Sequence, residues 1–550
     1  MLTERRTLLL IIIVAGFFFI PFLGRVHLFD WDEINFAEAA REMIVTGNYL
    51  QVQIDYQPFW EKPPLFFWAQ ALSMHAFGIT DFAARLVDAL CGIFTMLVVY
   101  RIGRKLFDRL FGVLWALAFL GSFLPHFFFK SGIIDPVFNV FIFLGLYFFV
   151  TGADVKASGR RLLLFATAGA CIGLAILTKG PVAFLIITLC VLVFLLINRA
   201  SSGFGIRDIA SAVIAMAVVA GSWYGVETLL HGTWFIGKFI VYQAHLFSRG
   251  EAGHGRPFYF HFVILLFGCF PASFLAIRAF FMKPGETHAQ QRFTQWMKIL
   301  FWVVLILFSI VKTKTVLYSS LTYFPITYLA VLHIHAVCRK KIPWTRMHTV
   351  ALAAFGLLVA AAIAVFPVLM MHKSWILPLI HDRFAVACLE RPVAWFWYEA
   401  AIGIGYGLLI TITLLLLNHS KFRQAFVVLF FSTALCIQFF MLDIVPKMEA
   451  YVVKGPIDFY QSHIGQHCYV RALFKSYADL YYSRVMPGGQ PESVDKNWLL
   501  TGPIDRPAYF VCRSHKAHVY IGHNNVSEIK TEYGFTYLKR DAVTGTSMQP

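Results

Sequence analysis

The sequence predicts an all-α polytopic membrane protein of about 13 transmembrane helices, with interfacial amphipathic helices and a small C-terminal α/β domain outside the membrane. Three observations predict it. Of the 550 residues, 59% are hydrophobic and 14% charged, a balance that excludes an ordinary soluble enzyme. Apolar runs long enough to span a bilayer recur up to residue 442, and the connections assigned to one side are all basic. From about Lys447 the composition turns polar, Gly and Pro appear, and no further spanning run follows.

The apolar runs lie near 8–24, 84–101, 110–128, 132–151, 162–178, 181–198, 208–229, 258–281, 296–311, 316–337, 347–371, 395–417 and 424–442. With Arg5 and Arg6 inside, the inside connections hold Arg101 to Arg109, Lys156 to Arg161, Arg199 and Arg207, Arg278 to Lys298, Arg339 to Arg346, and Lys421 with Arg423. That asymmetry accounts for the net charge of +17 without invoking nucleic acid. The run 8–23 has no small-residue cleavage site after it and reads as a retained signal-anchor. Five of the nine cysteines lie in apolar runs as small core residues; Cys468 and Cys512 share the tail and could pair in an oxidising compartment.

The outside connections differ in kind. The first, 25–83, is long and acidic, with helical periodicity over 33–44 and 65–77 that is too short to span and suits an interfacial position. Within Phe29–Pro64 fall Asp30, Asp32, Glu33, Glu38, Glu42, Asp55 and Glu61, against only Arg41 and Lys62. Further outside charges stand alone in tight turns: Lys130 and Asp135, Lys179 in TKGP, and Lys312 and Lys314 in KTKT. Lysines that break the charge asymmetry at membrane depth are functional candidates. The division expected is a membrane domain over 1–446 and a soluble α/β domain over 447–550, with strand-like runs at 469–473, 508–512 and 535–538 and a helical one at 476–483.

This topology gathers carboxylates and lysines on one face of the membrane. Carboxylates can accept a proton or hold a divalent ion, and Lys and Arg neutralise phosphate. Such a set suits transfer from an anionic leaving group, and a phosphate departing at a bilayer surface belongs to a lipid. A polyprenyl-phosphate sugar is already activated, and the sequence has neither a P-loop nor a G-x-G-x-x-G motif. Plainer readings stand beside this one. Asp32 and Glu33, or Asp135 before Pro136, also fit helix starts, Glu61–Lys62 a surface pair, and Lys179 a snorkelling lysine. Phe59–Trp60 and Trp223–Tyr224 read as interfacial belt residues before sugar-stacking platforms.

A first span followed by Asp32–Glu33, then EKPP at 61–64, then Asp135–Pro136, TKGP at 178–181 and a Lys-x-Lys turn resembles the GT-C membrane glycosyltransferases. The likeness is to the bacterial branch of aminoarabinose (lipid A) transferases, relatives of protein O-mannosyltransferases, and it covers the whole chain. The resemblance implies catalytic roles for Asp32, Glu33 and Asp135. It implies phosphate or substrate contacts for Lys62, Lys179, Arg249, Arg256, Lys312, Lys314 and Tyr318. No cofactor is certain; the one candidate is a divalent metal ion held by Glu61 and His245, two ligands where a catalytic zinc site usually has three. The turn KTKTVLYS departs from the pattern in lacking a proline after its second lysine.

The expected function is transfer of a sugar from an undecaprenyl-phosphate donor to a cell-envelope acceptor, most like 4-amino-4-deoxy-L-arabinose to a lipid A phosphate. The expected setting is the bacterial inner membrane, with active site and C-terminal domain in the periplasm. The enzyme alternative is transfer to protein hydroxyls, as in protein O-mannosyltransferases, or to another envelope glycan. A secondary transporter or lipid flippase is the non-enzyme alternative; it predicts midplane charges and repeated halves, whereas these charges cluster at one face and no repeat is visible.

Overall fold

The computed structural model describes residues 3–156, 158–199, 203–248, 256–282, 285–522 and 525–542. Among these, nine helices are long and apolar enough to cross a membrane, and one further pair, Phe260–Gly268 and Ala272–Ala279, is apolar enough when taken together but bent by 110°. The other three expected spans are helical but shorter, over Glu4–Phe19, Arg109–Leu120 and Val182–Ile197. The chain is a multi-pass membrane protein.

Local chemistry sets the helix ends. Thr80 caps Asp81–Leu106 by accepting from the Ala83 amide, and Asp108 caps Arg109–Leu120 through the Phe111 amide. Pro136 sits in the first turn of Asp135–Ala153, where its missing N–H costs nothing. Gly169 lets Ser158–Lys179 meet Ile206–His231 backbone to backbone; a Cβ there would lie 1.9 Å from the Ala212 carbonyl oxygen. The main core runs through the first spans and Tyr323–Cys338, where Trp115, Phe143, Phe324 and Tyr328 interlock. Ile206–His231 buries only Asp208, Trp223 and Glu227, leaving a largely apolar surface for lipid.

The helix expected over 33–44 forms as Asp32–Thr46, but it is not amphipathic: every residue from Glu33 to Met43 is buried. Its charged groups are matched internally, so no polar face remains. Leu65–Phe77 forms as expected.

The last span, Phe422–Phe439, continues through a π-helical turn, Phe440–Ile444, to Val452. Beyond it lies a four-stranded mixed sheet. Tyr469–Ala472 pairs in parallel with Ala508–Arg513, which pairs antiparallel with Phe535–Arg540, and that strand pairs with Val526–Glu532. Val526–Glu532 carries no apolar alternation because it is an exposed edge, buried only at Val526. Cys468 and Cys512 are both free, as are the other seven cysteines, so the possible disulfide does not form.

The sheet unit is fastened to the acidic connection. Arg471 pairs with Asp55 at 2.9 Å, Ser476 donates to Asp30 at 2.5 Å, and the Tyr482 hydroxyl accepts from the Leu28 amide at 2.7 Å. Arg41 and Tyr56 both donate to the Val485 carbonyl. Residues more than 400 positions apart thus form one wall.

Candidate active site

Six segments end at the same level, and that level holds a cavity of about 430 Å³. Asp32 opens the Asp32–Thr46 helix and Asp135 opens Asp135–Ala153; Lys179 closes Ser158–Lys179 and Val182 opens the next helix. Phe308 brings the end of His288–Ile310, and the turn after it supplies Val311, Thr313, Thr315 and Tyr318. Glu61 and Lys62 enter from the acidic connection. Carboxylates at helix N-termini and a lysine at a C-terminus are each favoured by the helix dipole.

Most of the acidic cluster is scaffold. Glu33 receives Arg85 through both carboxylate oxygens, at 3.0 and 2.7 Å, and also the amides of Phe29 and Gly132. Glu38 holds Arg41 in a buried pair at 2.7 Å. Glu42 accepts from the amides of Asp55 and Tyr56, and burial beside Glu38 pushes its carboxyl up to about 9. Asp55 and Asp30 are taken by Arg471 and Ser476. Only the carboxylates of Asp32 and Glu61 face the cavity without a hydrogen bond or ion pair among the described residues.

Asp32 is held above the ordinary carboxylate range by burial, which Lys62 partly offsets. Burial lowers the Lys62 ammonium. Lys62 lies 5.4 Å from the centre of the Tyr242 ring. Lys179 binds Asp135 at 2.5 Å and lies 5.4 Å from the Tyr318 ring. Asp32, Glu61, Lys62, Asp135, Lys179 and Tyr318 therefore share one cavity.

Other expected residues fall elsewhere. Lys312 is exposed, and Lys314 is buried with its ammonium on the Val311 carbonyl at 2.7 Å; neither lines the cavity. Val311, Thr313 and Thr315 line the cavity, while Lys312 stands exposed and Lys314 turns its ammonium back onto its own turn. His245 is exposed on the Trp234–Ser248 helix, and Arg256 is exposed before Phe260–Gly268. Arg249 lies outside the described residues. Among the described residues no three His, Cys, Asp or Glu side chains gather to hold a metal ion, and of the suggested pair Glu61 lines the cavity whereas His245 does not. Lys130 instead closes the end of the first helix, donating to the carbonyls of Phe18 and Pro21 and to Gln438.

Sequence reasoning missed several lining residues: Asn35, Asn139, Tyr242, Gln243 and Lys475. Tyr242 and Gln243 belong to the helix Trp234–Ser248, which falls between the expected spans 208–229 and 258–281. Lys475 comes from the C-terminal unit, its ammonium 4.5 Å from the Trp31 ring, and no local signal marks it.

Comparison with known proteins follows the same lines. A family model described as dolichyl-phosphate-mannose-protein mannosyltransferase matches residues 61–224. An undecaprenyl phosphate-alpha-4-amino-4-deoxy-L-arabinose arabinosyl transferase of Proteus mirabilis is 27% identical over 60% of this chain and 59% of its own length. A second Proteus mirabilis relative of that name matches over 50% of its length, so these two are spanned over little more than half. The corresponding protein of Photorhabdus laumondii is 23% identical over 69% of this chain and 71% of its own. The crystal structure of ArnT from Cupriavidus metallidurans bound to undecaprenyl phosphate superimposes with a TM-score of 0.78, at 17% identity, over 99% of this chain and 100% of that one. The chain thus has a GT-C-type fold, shared with that crystal structure, and its resemblance to the aminoarabinose transferases, read first from motifs, recurs in the curated relatives.

Proposed function

We propose that this protein is a membrane glycosyltransferase that takes a sugar from an undecaprenyl-phosphate donor and transfers it to an envelope acceptor, most like 4-amino-4-deoxy-L-arabinose to a lipid A phosphate. The observation that carries the reading is the meeting of Asp32, Glu61 and Asp135 with Lys62 and Lys179 at one cavity. The names borne by the relatives support the donor and the sugar.

In the reaction, an acceptor oxygen attacks the anomeric carbon while the bond from that carbon to the carrier phosphate breaks. The transition state has oxocarbenium character, and the charge develops on the departing phosphate. Lys62 is assigned to that phosphate, with Tyr318 beside it. Lys179 holds Asp135 in place, and its charge also offsets the leaving group. Asp32 faces the acceptor. Toward a hydroxyl it takes the proton, a role its raised pKa suits; toward a phosphate already ionised it orients the nucleophile. Glu33 is assigned to positioning: with both oxygens bound to Arg85 it fixes the start of the helix that presents Asp32.

The C-terminal unit shares a wall with the acidic connection, which supports placing both on the periplasmic side of the inner membrane, with the division between membrane and outer domains near residue 446. Transfer to protein hydroxyls is the second reading, favoured by the description of the family model that matches 61–224.

The test is transfer of radiolabelled sugar from lipid-linked donors in membranes containing wild type, Asp32→Asn or Lys62→Ala, with lipid and protein fractions extracted separately. Wild type should label lipid, Lys62→Ala should lose on the order of a hundredfold of the rate by leaving the departing phosphate uncompensated, and Asp32→Asn should slow transfer. Label in protein would move the acceptor to the second reading. Equal transfer by both variants and wild type would sink the assignment of this cavity.

A further inference from the structure

Lys475 belongs to two concavities at once. It lines the cavity of Asp32 and Lys62, and it also lines a separate groove of about 210 Å³ with Leu473, Phe474, Arg513 and Lys516. Arg513 ends the strand Ala508–Arg513, and Lys516 follows in the next turn, so both stand on the sheet unit rather than on the spans. All three cations are exposed, and none forms an ion pair among the described residues. A solitary surface lysine without a partner is ordinary. Three unpaired cations around one concavity that no carboxylate lines make a cationic patch whose mutual repulsion a bound anion relieves.

The groove is held in fixed relation to the reaction cavity. Lys496 donates to the carbonyls of Ala472 and Phe474, stiffening the loop that carries Lys475. Ser476 is tied to Asp30, and Tyr477 packs on Trp31 with ring centres 5.0 Å apart. The Arg513 guanidinium lies 4.8 Å over the Phe384 ring, which positions it without using a carboxylate. Charge separates the two spaces: the reaction cavity has carboxylates and lysines together, whereas the groove has cations alone.

From this we infer that Lys475, Arg513 and Lys516 form a subsite on the C-terminal unit for a second phosphate of the acceptor, one distant from the reacting group. The inference rests on the glycosyl-transfer reading above. The carrier lipid keeps its chain in the bilayer and its phosphate by Lys62. The molecule that can rise onto the sheet unit while reaching Asp32 is therefore the acceptor headgroup. Lys475, shared by both spaces, is the bridge between them. An acceptor carrying two phosphates engages both sites, and one carrying a single phosphate engages only the cavity. The subsite thus makes the C-terminal unit a selector of acceptors.

The experiment uses the full chain in lipid nanodiscs with two synthetic acceptors, acylated glucosamine disaccharides bearing one or two phosphates. For wild type and Arg513→Glu/Lys516→Glu, kcat/KM is measured on each acceptor, and retention of each acceptor on the immobilised protein is measured without donor. Wild type should prefer the doubly phosphorylated acceptor, and the variant should lose that preference by about tenfold or more, as expected when charge-assisted contacts to one phosphate are removed. The loss should lie in KM rather than kcat, and retention should fall in parallel. If the charge reversal does not fold, Arg513→Gln/Lys516→Gln carries the same measurement. An unchanged preference overturns the subsite. So does an equal loss on both acceptors, or displacement of the doubly phosphorylated acceptor by anionic phospholipid at equal concentration, which would make the groove a membrane-headgroup contact. If wild type transfers to neither acceptor, the lipid A acceptor in the reading above fails, and the retention measurement alone decides the subsite.

Discussion

Asp32 and Glu33 are neighbours with opposite environments. Glu33 faces inward and spends its oxygens on Arg85 and two backbone amides, while Asp32 lines the cavity with no partner among the described residues. Removing Glu33 would strand a buried guanidinium, so Glu33→Ala should cost about 3–5 kcal/mol of stability, read as a lower midpoint for thermal unfolding in detergent. Retention of wild-type stability by that variant would mean Arg85 is compensated elsewhere. Asp32 makes a different prediction. Burial favours its protonated form, so the carboxylate needed for transfer is lost as pH falls through a pKa above the ordinary range. The acid limb of the rate profile should lie above about pH 4, and Asp32→Asn should remove it while slowing transfer. A limb that persists in Asp32→Asn would belong to another group.

At the scale of elements, the loop 473–477 joins the sheet unit to the active-site wall, and one of its ties is sensitive to pH. Burial raises Asp30 to about 6, against the hydrogen bond from Ser476, which lowers it. The sign follows from proton linkage: between about pH 4 and 6 the folded protein binds the proton and the unfolded chain has lost it. The stability held in this contact is complete below that window and is lost as pH rises through about 6. Limited proteolysis across the sheet unit should therefore quicken from pH 4 to pH 7 in wild type, and Asp30→Asn should flatten the curve. Equal rates at both ends of the range in wild type would show that Asp30 ionises without cost. The turn after His288–Ile310 offers a second contrast. Because its threonines and not its lysines face the cavity, Lys312→Ala should transfer sugar within about twofold of wild type, in line with an exposed surface charge. A large loss there would return that lysine to the phosphate site.

For the whole molecule, the proposed topology makes a directional prediction. Ser462 is exposed on the sheet unit, and Ser420 is exposed in the short connection between two late spans. In intact cells, Ser462→Cys should react with a membrane-impermeant maleimide, and Ser420→Cys should react only after permeabilisation. The reverse pattern would invert the protein and move the cavity to the cytoplasmic face.

What the sequence determined alone is what depends on composition and period. Spanning runs, their basic connections, the polar tail, and the Asp, Glu-Lys-Pro and Thr-Lys-Gly-Pro motifs can all be read residue by residue, because burial in lipid and helix-end chemistry act over a few turns of chain. The tertiary structure decided which charges are free. Five of the seven acidic residues in Phe29–Pro64 are matched, and some of their partners lie far along the chain: Arg85 for Glu33, Arg471 for Asp55 and Ser476 for Asp30. Lys475 enters the cavity from a strand loop more than 400 residues after Asp32, and the lysines of KTKT turn away from it. Pairing of charges is a property of space rather than of spacing. A cluster legible in one dimension became a site only when the last hundred residues closed over the first.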